Sequence, residues 1–457
     1  MSNTETMLER ANRTTFSRAS SVRASSYALK YHITAPSGWI NDPNGLVHFG
    51  DRYHVFYQHY PYEPKWGPMH WGHVTSPDLA HWQHEPVALA PDQPYEKGCF
   101  SGSGVDDNGT LTVIYTAHDD DNPIMETQCV ARSFDGGQTF VKSPLNPVIP
   151  VFPPECSKDF RDPKVWKHDG RWYLVAGTSH NGRGCAVLYE GDDLEHWTYR
   201  GIIAESDGSM GFMWECPSFF HADGWDVLLF SPMGMPGHKN IALLGKFDYE
   251  TGKMTVDHWQ DLDIGENFYA AQVLDDSDRT LLFAWMAMWD KPDPSREDGW
   301  CGALTIPREL HVKDGKLLAL PAPDLKVLRG EQLIEDGCPR CIAKLAGNCI
   351  EISIELGDGA FAMSDENGEL VRVVISDNKV SFTTSDGYTA SALLDLPREK
   401  NLLHIFVDQS SVECFVNDGE VTFSERIFPK GALTYHAEGN ITANAWALED
   451  AFEVPEC

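Results

Sequence analysis

The sequence is poor in basic residues, in long apolar runs and in helical periodicity, and each shortage removes a class of function. Lys and Arg number 36 against 68 Asp and Glu, a formal charge of −32. Such an excess repels phosphate backbones and anionic headgroups, so neither nucleic acid nor a membrane surface is an expected partner. The longest apolar stretch of note, Leu281 to Trp289, falls far short of the roughly 18 residues a spanning helix needs. The first 26 residues set Glu5, Glu9, Arg10, Arg13, Arg18 and Arg23 among serines and hold no apolar secretion signal, so the cytoplasm is the expected compartment. Eleven cysteines, an odd number spread over a long chain, read as reduced thiols. Cys338-Pro339-Arg340-Cys341 has redox or zinc spacing, but no second such pair or close histidine pair completes a site, and no metal is expected.

What the chain has instead is one hairpin pattern in five copies: an apolar segment, a polar turn, then a strand rich in aromatic and branched residues. The copies are GLVHFGDRYHVFYQ from Gly45, GVDDNGTLTVIYTA from Gly104, KVWKHDGRWYLVAG from Lys164, SFFHADGWDVLLFS from Ser218 and QVLDDSDRTLLFAW from Gln272. Their spacing is close to that of four-stranded propeller blades. The first four are followed by SPDLAHW, SFDGGQTF, EGDDLEHW and KFDYETGKM, which read as second, outer hairpins. The pattern predicts an all-β chain: an N-terminal extension over 1–26, a five-bladed β-propeller over 27–317 closed near Leu304 to Leu318, and a C-terminal β-sandwich over 318–457, where short alternating segments such as CIEISIEL and KVSFTT recur.

About three residues before the hairpins lie Asp42, Ser101, Asp162, Glu215 and the Tyr269-Ala270 pair, at equivalent places. If the first strand of each hairpin is innermost, three carboxylates converge at one mouth of the ring. Taken alone, Asp42-Pro43-Asn44-Gly45 is an ordinary type I turn; the convergence is what turn chemistry does not explain. Pro43 and Pro163 are expected to hold Asp42 and Asp162 extended. Clustered carboxylates without a His or Cys set at metal spacing fit glycoside cleavage. Phe212, Met213 and Trp214 beside Glu215 offer the desolvation a general acid uses, whereas Asn41 and Asn44 beside Asp42 favour an ionised nucleophile.

These residues also resemble a known family. Trp39-Ile40-Asn41-Asp42-Pro43-Asn44-Gly45, Phe160-Arg161-Asp162-Pro163 and Trp214-Glu215-Cys216-Pro217 are similar, in order and spacing, to the three acidic motifs of glycoside hydrolase family 32, the β-fructofuranosidases. The resemblance runs from about Tyr31 to the C-terminus and includes LHIFVDQSSVECFVNDGEVTFSERIFP in the sandwich. It implies Asp42 as nucleophile, Glu215 as acid/base, and Asp162 with Arg161 on fructose hydroxyls. It further implies Asn41, Gln58, Trp66, Phe100, Ser101, Tyr269 and Trp285 as pocket residues. Asn267 stands where the family usually has Asp. The implied reaction is a retaining double displacement on terminal β-fructosyl units of sucrose or short fructo-oligosaccharides, with no cofactor and with carboxyls about 5 to 5.5 Å apart.

Other readings stay open from sequence: a sucrose-6-phosphate hydrolase with Lys65, Lys97 or Arg183 on the phosphate, a fructosyltransferase, an inverting arabinan-cleaving propeller, and a sugar-binding propeller without catalysis. The His118-Asp119-Asp120-Asp121 run is read as a solvated acidic loop, and Ser133 to Phe140, similar to a sialidase Asp box, as a turn. The partner is a small saccharide, with homo-oligomer formation open.

Overall fold

The computed structural model describes residues 5–277 and 279–452. The fold is all-β with a few short helices. Among the described residues, no helix is long and apolar enough to cross a membrane.

Five sheets follow one another along the chain, each built on four antiparallel strands taken in sequence order. Their first strands are Gly38–Phe49, Gly98–Asp106, Arg161–His168, Met213–Ala222 and Tyr269–Asp276. The turn chemistry is local. Asp169-Gly170, Asp223-Gly224 and Asp314-Gly315 each join two strands with both residues at positive φ, the type I′ geometry whose twist matches that of the flanking strands. SPDLAHW, SFDGGQTF, EGDDLEHW and KFDYETGKM each span the turn from the third to the fourth strand of their sheets, as expected of outer hairpins.

Strand alternation sends successive apolar residues to opposite faces, and each face packs on a different neighbouring sheet. Val113 and Tyr115 of the second sheet pack with Phe56 and Trp71 of the first, whereas Ile114 packs with Leu174 and Val187 of the third. Val175 and Leu188 then meet Leu228 and Phe230, Val227 and Leu229 meet Leu282 and Ala284, and Leu281 and Phe283 return to Val55 and Tyr57 of the first sheet. The five first strands likewise touch in succession, the fifth touching the first.

Two expectations change here. The strand that ties the end of this region to the first sheet is Trp300–Cys301, pairing in parallel with Gly38 and Trp39. The Leu304 to Leu318 segment instead completes the fifth sheet, through Arg308–Lys313 and Lys316–Pro321. A boundary at 317 would therefore cut a strand. The N-terminal extension contains helices Met7–Ser17 and Ala19–Arg23, the first opened by a capping box between Thr6 and Glu9. This arm lies against the first sheet: Asn12 accepts from the Val87 N–H at 2.8 Å, and the Thr15 hydroxyl meets His59 Nε2 at 2.9 Å.

Beyond Pro321, a six-stranded and a five-stranded sheet enclose a separate apolar core, with Phe382 and Phe423 stacked 4.4 Å apart. The two halves meet through a buried polar cluster. Arg308 donates to Asp263, Glu413 and Ser424, and His32 lies between Asp408 at 2.9 Å and Glu413 at 3.0 Å.

Candidate active site

Each of the five first strands carries a β-bulge near its start. A bulge breaks the two-residue alternation, so adjacent side chains need not point to opposite faces. In three strands the ladder-paired residue before the bulge is Arg161, Glu215 or Tyr269, and the next residue, Asp162, Cys216 or Ala270, lies at φ of 63°, 48° or 53°. Asp162 is thus left-handed rather than extended. Pro163 does bar the right-handed α region, but the bulge supplies the second solution. The ladders also shift the alignment by one place: Glu215 is equivalent to Arg161 and Tyr269, and Cys216 to Asp162.

The consequence is that neighbouring residues act on one centre. Asn41, Asp42, Gln58, Trp66, Phe100, Ser101, Arg161, Asp162 and Glu215 line a single pocket of about 350 Å³. Asp42 Oδ2 accepts from Ser101 Oγ at 2.5 Å and faces Cys216 Sγ at 3.5 Å, and its Oδ1 accepts from Asn41 Nδ2 at 2.9 Å. Asn41 is itself aimed by the Trp39 indole, which donates to its carbonyl at 2.7 Å. Asn44, expected to serve Asp42 directly, acts one step back: oriented to satisfy its neighbours, it donates to Ser101 and accepts from Gln58. Burial pushes the Asp42 carboxyl above its ordinary range, against the opposing hydrogen bonds from Ser101 and Asn41 and with the help of the Glu215 charge.

Asp162 is almost fully buried, and its Oδ2 accepts the Cys216 N–H at 2.8 Å. Burial carries its carboxyl up to about 8; Arg161 opposes the shift, and the charges of Asp42 and Glu215 add to it. Glu215 stands in different surroundings. Its Oε1 accepts from Arg161 Nη2 at 3.0 Å and Nε at 3.2 Å, and its Oε2 from the Tyr269 hydroxyl at 2.5 Å. The apolar neighbours expected to surround this carboxyl do not. Trp214 turns away to stack on Phe230 at 3.8 Å, and Phe212 is half-exposed.

Tyr269 therefore reaches the site through Glu215. Trp285, expected in the pocket, is fully buried behind it, packed on Trp39, Tyr269 and Trp289. Asn267 lies away from the pocket lining, and its carbonyl accepts the Arg426 N–H at 2.8 Å, a bond to the C-terminal half. The Ser133 to Phe140 segment is a turn held by Asp135.

Sequence reasoning missed Glu126, Met125, Asp159 and Trp289, and took His118 and Asp120 for solvated loop; all six line the pocket. The available signal was an acid at the head of the strand Glu126–Ser133, just before its short apolar centre Cys129-Val130-Ala131. Glu126 is buried and accepts Arg161 Nη1 on both oxygens at 3.2 Å and the Phe160 N–H at 2.6 Å.

Residues 32–321 match the glycosyl hydrolases family 32 N-terminal domain, and residues 364–447 the glycosyl hydrolases family 32 C terminal. The chain belongs to glycoside hydrolase family 32. Among its relatives in that family, a sucrose-6-phosphate hydrolase of Escherichia coli is 40% identical over 89% of this chain and 91% of its own length. A raffinose invertase of Escherichia coli is 38% identical, over 90% and 92%. The solved structure of a Bombyx mori β-fructofuranosidase of family 32, a mutant in complex with sucrose, superposes with a TM-score of 0.89 at 34% identity, covering 98% of this chain and all of that one. The protein is a glycoside hydrolase of the β-fructofuranosidase type.

Proposed function

We propose that this family 32 enzyme releases the terminal β-fructosyl unit of sucrose or a short fructo-oligosaccharide by a retaining double displacement. In this reading the five sheets are blades of a propeller ending at Pro321, and the two later sheets form a sandwich. Support for the ring comes from the first strands, which touch in succession and return to the start. The observation that carries the mechanism is that Asp42 and Glu215, 173 residues apart, line one pocket with unlike partners.

Asp42, held by three donors, attacks the anomeric carbon; Glu215 gives its proton to the departing glycosidic oxygen. Water then attacks the fructosyl-enzyme, Glu215 takes its proton and Asp42 leaves. Arg161 and Tyr269 fix the Glu215 carboxyl before and after each transfer. Asp162, fastened by the Cys216 N–H, binds fructose hydroxyls, and its proton lets it donate as well as accept.

An unphosphorylated substrate fits better than sucrose 6-phosphate. The lining holds six acidic side chains, of Asp42, Asp120, Glu126, Asp159, Asp162 and Glu215, against Arg161, which is already paired with three of them. Lys65 is paired with Glu63, Lys97 with Asp119 and Asp121, and Arg183 with Glu205, and none of the three lines the pocket.

Proton NMR of fructose at the moment of release tests the mechanism: the β-anomer is expected first, and the α-anomer would mean inversion. Initial rates on sucrose, sucrose 6-phosphate, 1-kestose and inulin test the substrate, with sucrose or 1-kestose expected to lead. A lead for sucrose 6-phosphate would overturn that part alone.

A further inference from the structure

A chain of polar contacts runs from the rim of the pocket to Glu215 and includes groups for which the mechanism above has no use. Asp120 Oδ1 lies 2.9 Å from His118 Nε2, and His118 Nδ1 lies 3.3 Å from Glu126 Oε1. Glu126 holds Arg161 Nη1 on both oxygens at 3.2 Å, while the remaining edge of the same guanidinium, Nε and Nη2, clasps Glu215 at 3.2 and 3.0 Å. The His118 ring also stacks flat on Phe100, 4.0 Å between centroids and 8° between planes, so the chain holds one wall of the pocket as well.

We propose that Glu126 is a positioning residue that divides Arg161 between two carboxylates and thereby sets both the orientation of Glu215 and how firmly it keeps its proton. The inference rests on Glu215 being the acid/base. An arginine facing one carboxylate alone would favour the charged form of that carboxylate strongly, which is the wrong state for an acid about to give up a proton. A second carboxylate on the far edge of the guanidinium cancels part of that charge and stops the group from rotating. Glu126 is suited to this. Burial raises its carboxyl, but the charge of Arg161, the His118 ring and the Phe160 N–H together bring it below the usual carboxylate range, so it is ionised. It sits on its own strand, Glu126–Ser133, one sheet away from Arg161, so it does not move with the residue it holds.

The charged groups around the pair are few. Arg161 faces Glu126, Glu215 and, at 3.6 Å, Asp159. Glu215 faces Arg161 and Tyr269, with Asp42, Asp162 and the Cys216 thiol in the same field. Replacing Glu126 by Gln keeps its size and one acceptor but removes the compensating charge. The uncompensated arginine then favours ionised Glu215, so the alkaline limb of kcat/KM, which requires Glu215 protonated, moves to lower pH.

The test is the pH profile of kcat/KM on sucrose for wild type, Glu126→Gln, Glu126→Asp and Glu215→Gln, each checked for folding by circular dichroism. Expected for Glu126→Gln is an alkaline limb lower by about one pH unit, with kcat reduced more than KM is raised. Glu126→Asp, which keeps the charge, should return the limb toward wild type. A folded Glu126→Gln enzyme with an unmoved limb, or with a limb identical to that of Glu126→Asp, overturns the proposal while leaving the acid/base reading intact. Undiminished activity in Glu215→Gln overturns both.

Discussion

The pocket and the junction between the two halves of the chain both bury charge, but they balance it differently. At the junction, Asp263, Asp408 and Glu413 face Arg308 and His32, and every carboxylate has a cation or several N–H groups on it; Asp408 alone takes the backbone N–H groups of Lys30, Tyr31 and His32. In the pocket, Asp42, Asp162 and Glu215 lie beside a single guanidinium, Arg161, which bonds Glu215 and Glu126 and leaves Asp42 and Asp162 to neutral donors. The junction is arranged for stability. The pocket keeps like charges close in the absence of substrate, the arrangement that spreads proton affinities apart and prepares groups for acid, base and nucleophile roles. The difference is in the partners: buried carboxylates at the junction meet cations, whereas Asp42 and Asp162 in the pocket are held by neutral donors alone and lie beside a third acid.

The sharpest way to break this contrast is in the pocket. Asp42→Asn should lower kcat on sucrose by about 10⁴-fold or more, with sucrose binding retained in calorimetry. Retained cleavage would remove the nucleophile assignment, and binding without cleavage would exclude a mere sugar-binding role for the native site. Next in size, Arg308→Met at the junction leaves Asp263 without its cation and Glu413 with His32 alone, and should cost about 3–5 kcal/mol, read from the urea midpoint. Adding Glu413→Gln to that variant should recover part of the loss, because one stranded charge is removed.

The smallest effect is the most discriminating, because it has the opposite sign in stability. The folded protein holds the Asp162 proton up to about 8, whereas the unfolded chain releases it near 3.8. Between those values the unfolded state binds fewer protons, so stability falls as the pH rises through that window. Asp162→Asn should therefore raise the melting temperature at pH 7 by a few degrees and change it little at pH 4, while activity drops. A lower melting temperature at pH 7 would place Asp162 with the junction charges rather than with the pocket.

Much of the site was legible because its residues lie in contiguous motifs. Asp42, Asp162 and Glu215 each precede a proline or a Cys-Pro pair at the start of a repeated hairpin, and repetition turns three distant acids into one prediction. The partners were less legible. Phe212, Met213 and Trp214 are next to Glu215 in sequence, yet its carboxyl meets Arg161 and Tyr269 from other sheets. Trp285 matched a pocket position but is buried one layer back, and Glu126 looked like one more acid in an acidic chain. The N-terminal helices carried a readable signal, the Thr6 and Glu9 capping box, outweighed by serines and mixed charge.

By itself the sequence determined the all-β repeat, the order of the acids and the polar turns, since alternation and turn chemistry depend on residues a few places apart. Only the tertiary structure decided where the acids point and what each one meets. A bulge rotates a side chain by breaking a ladder that needs two strands, and a carboxyl's proton affinity is fixed by burial and by charges brought close through space from elsewhere in the chain.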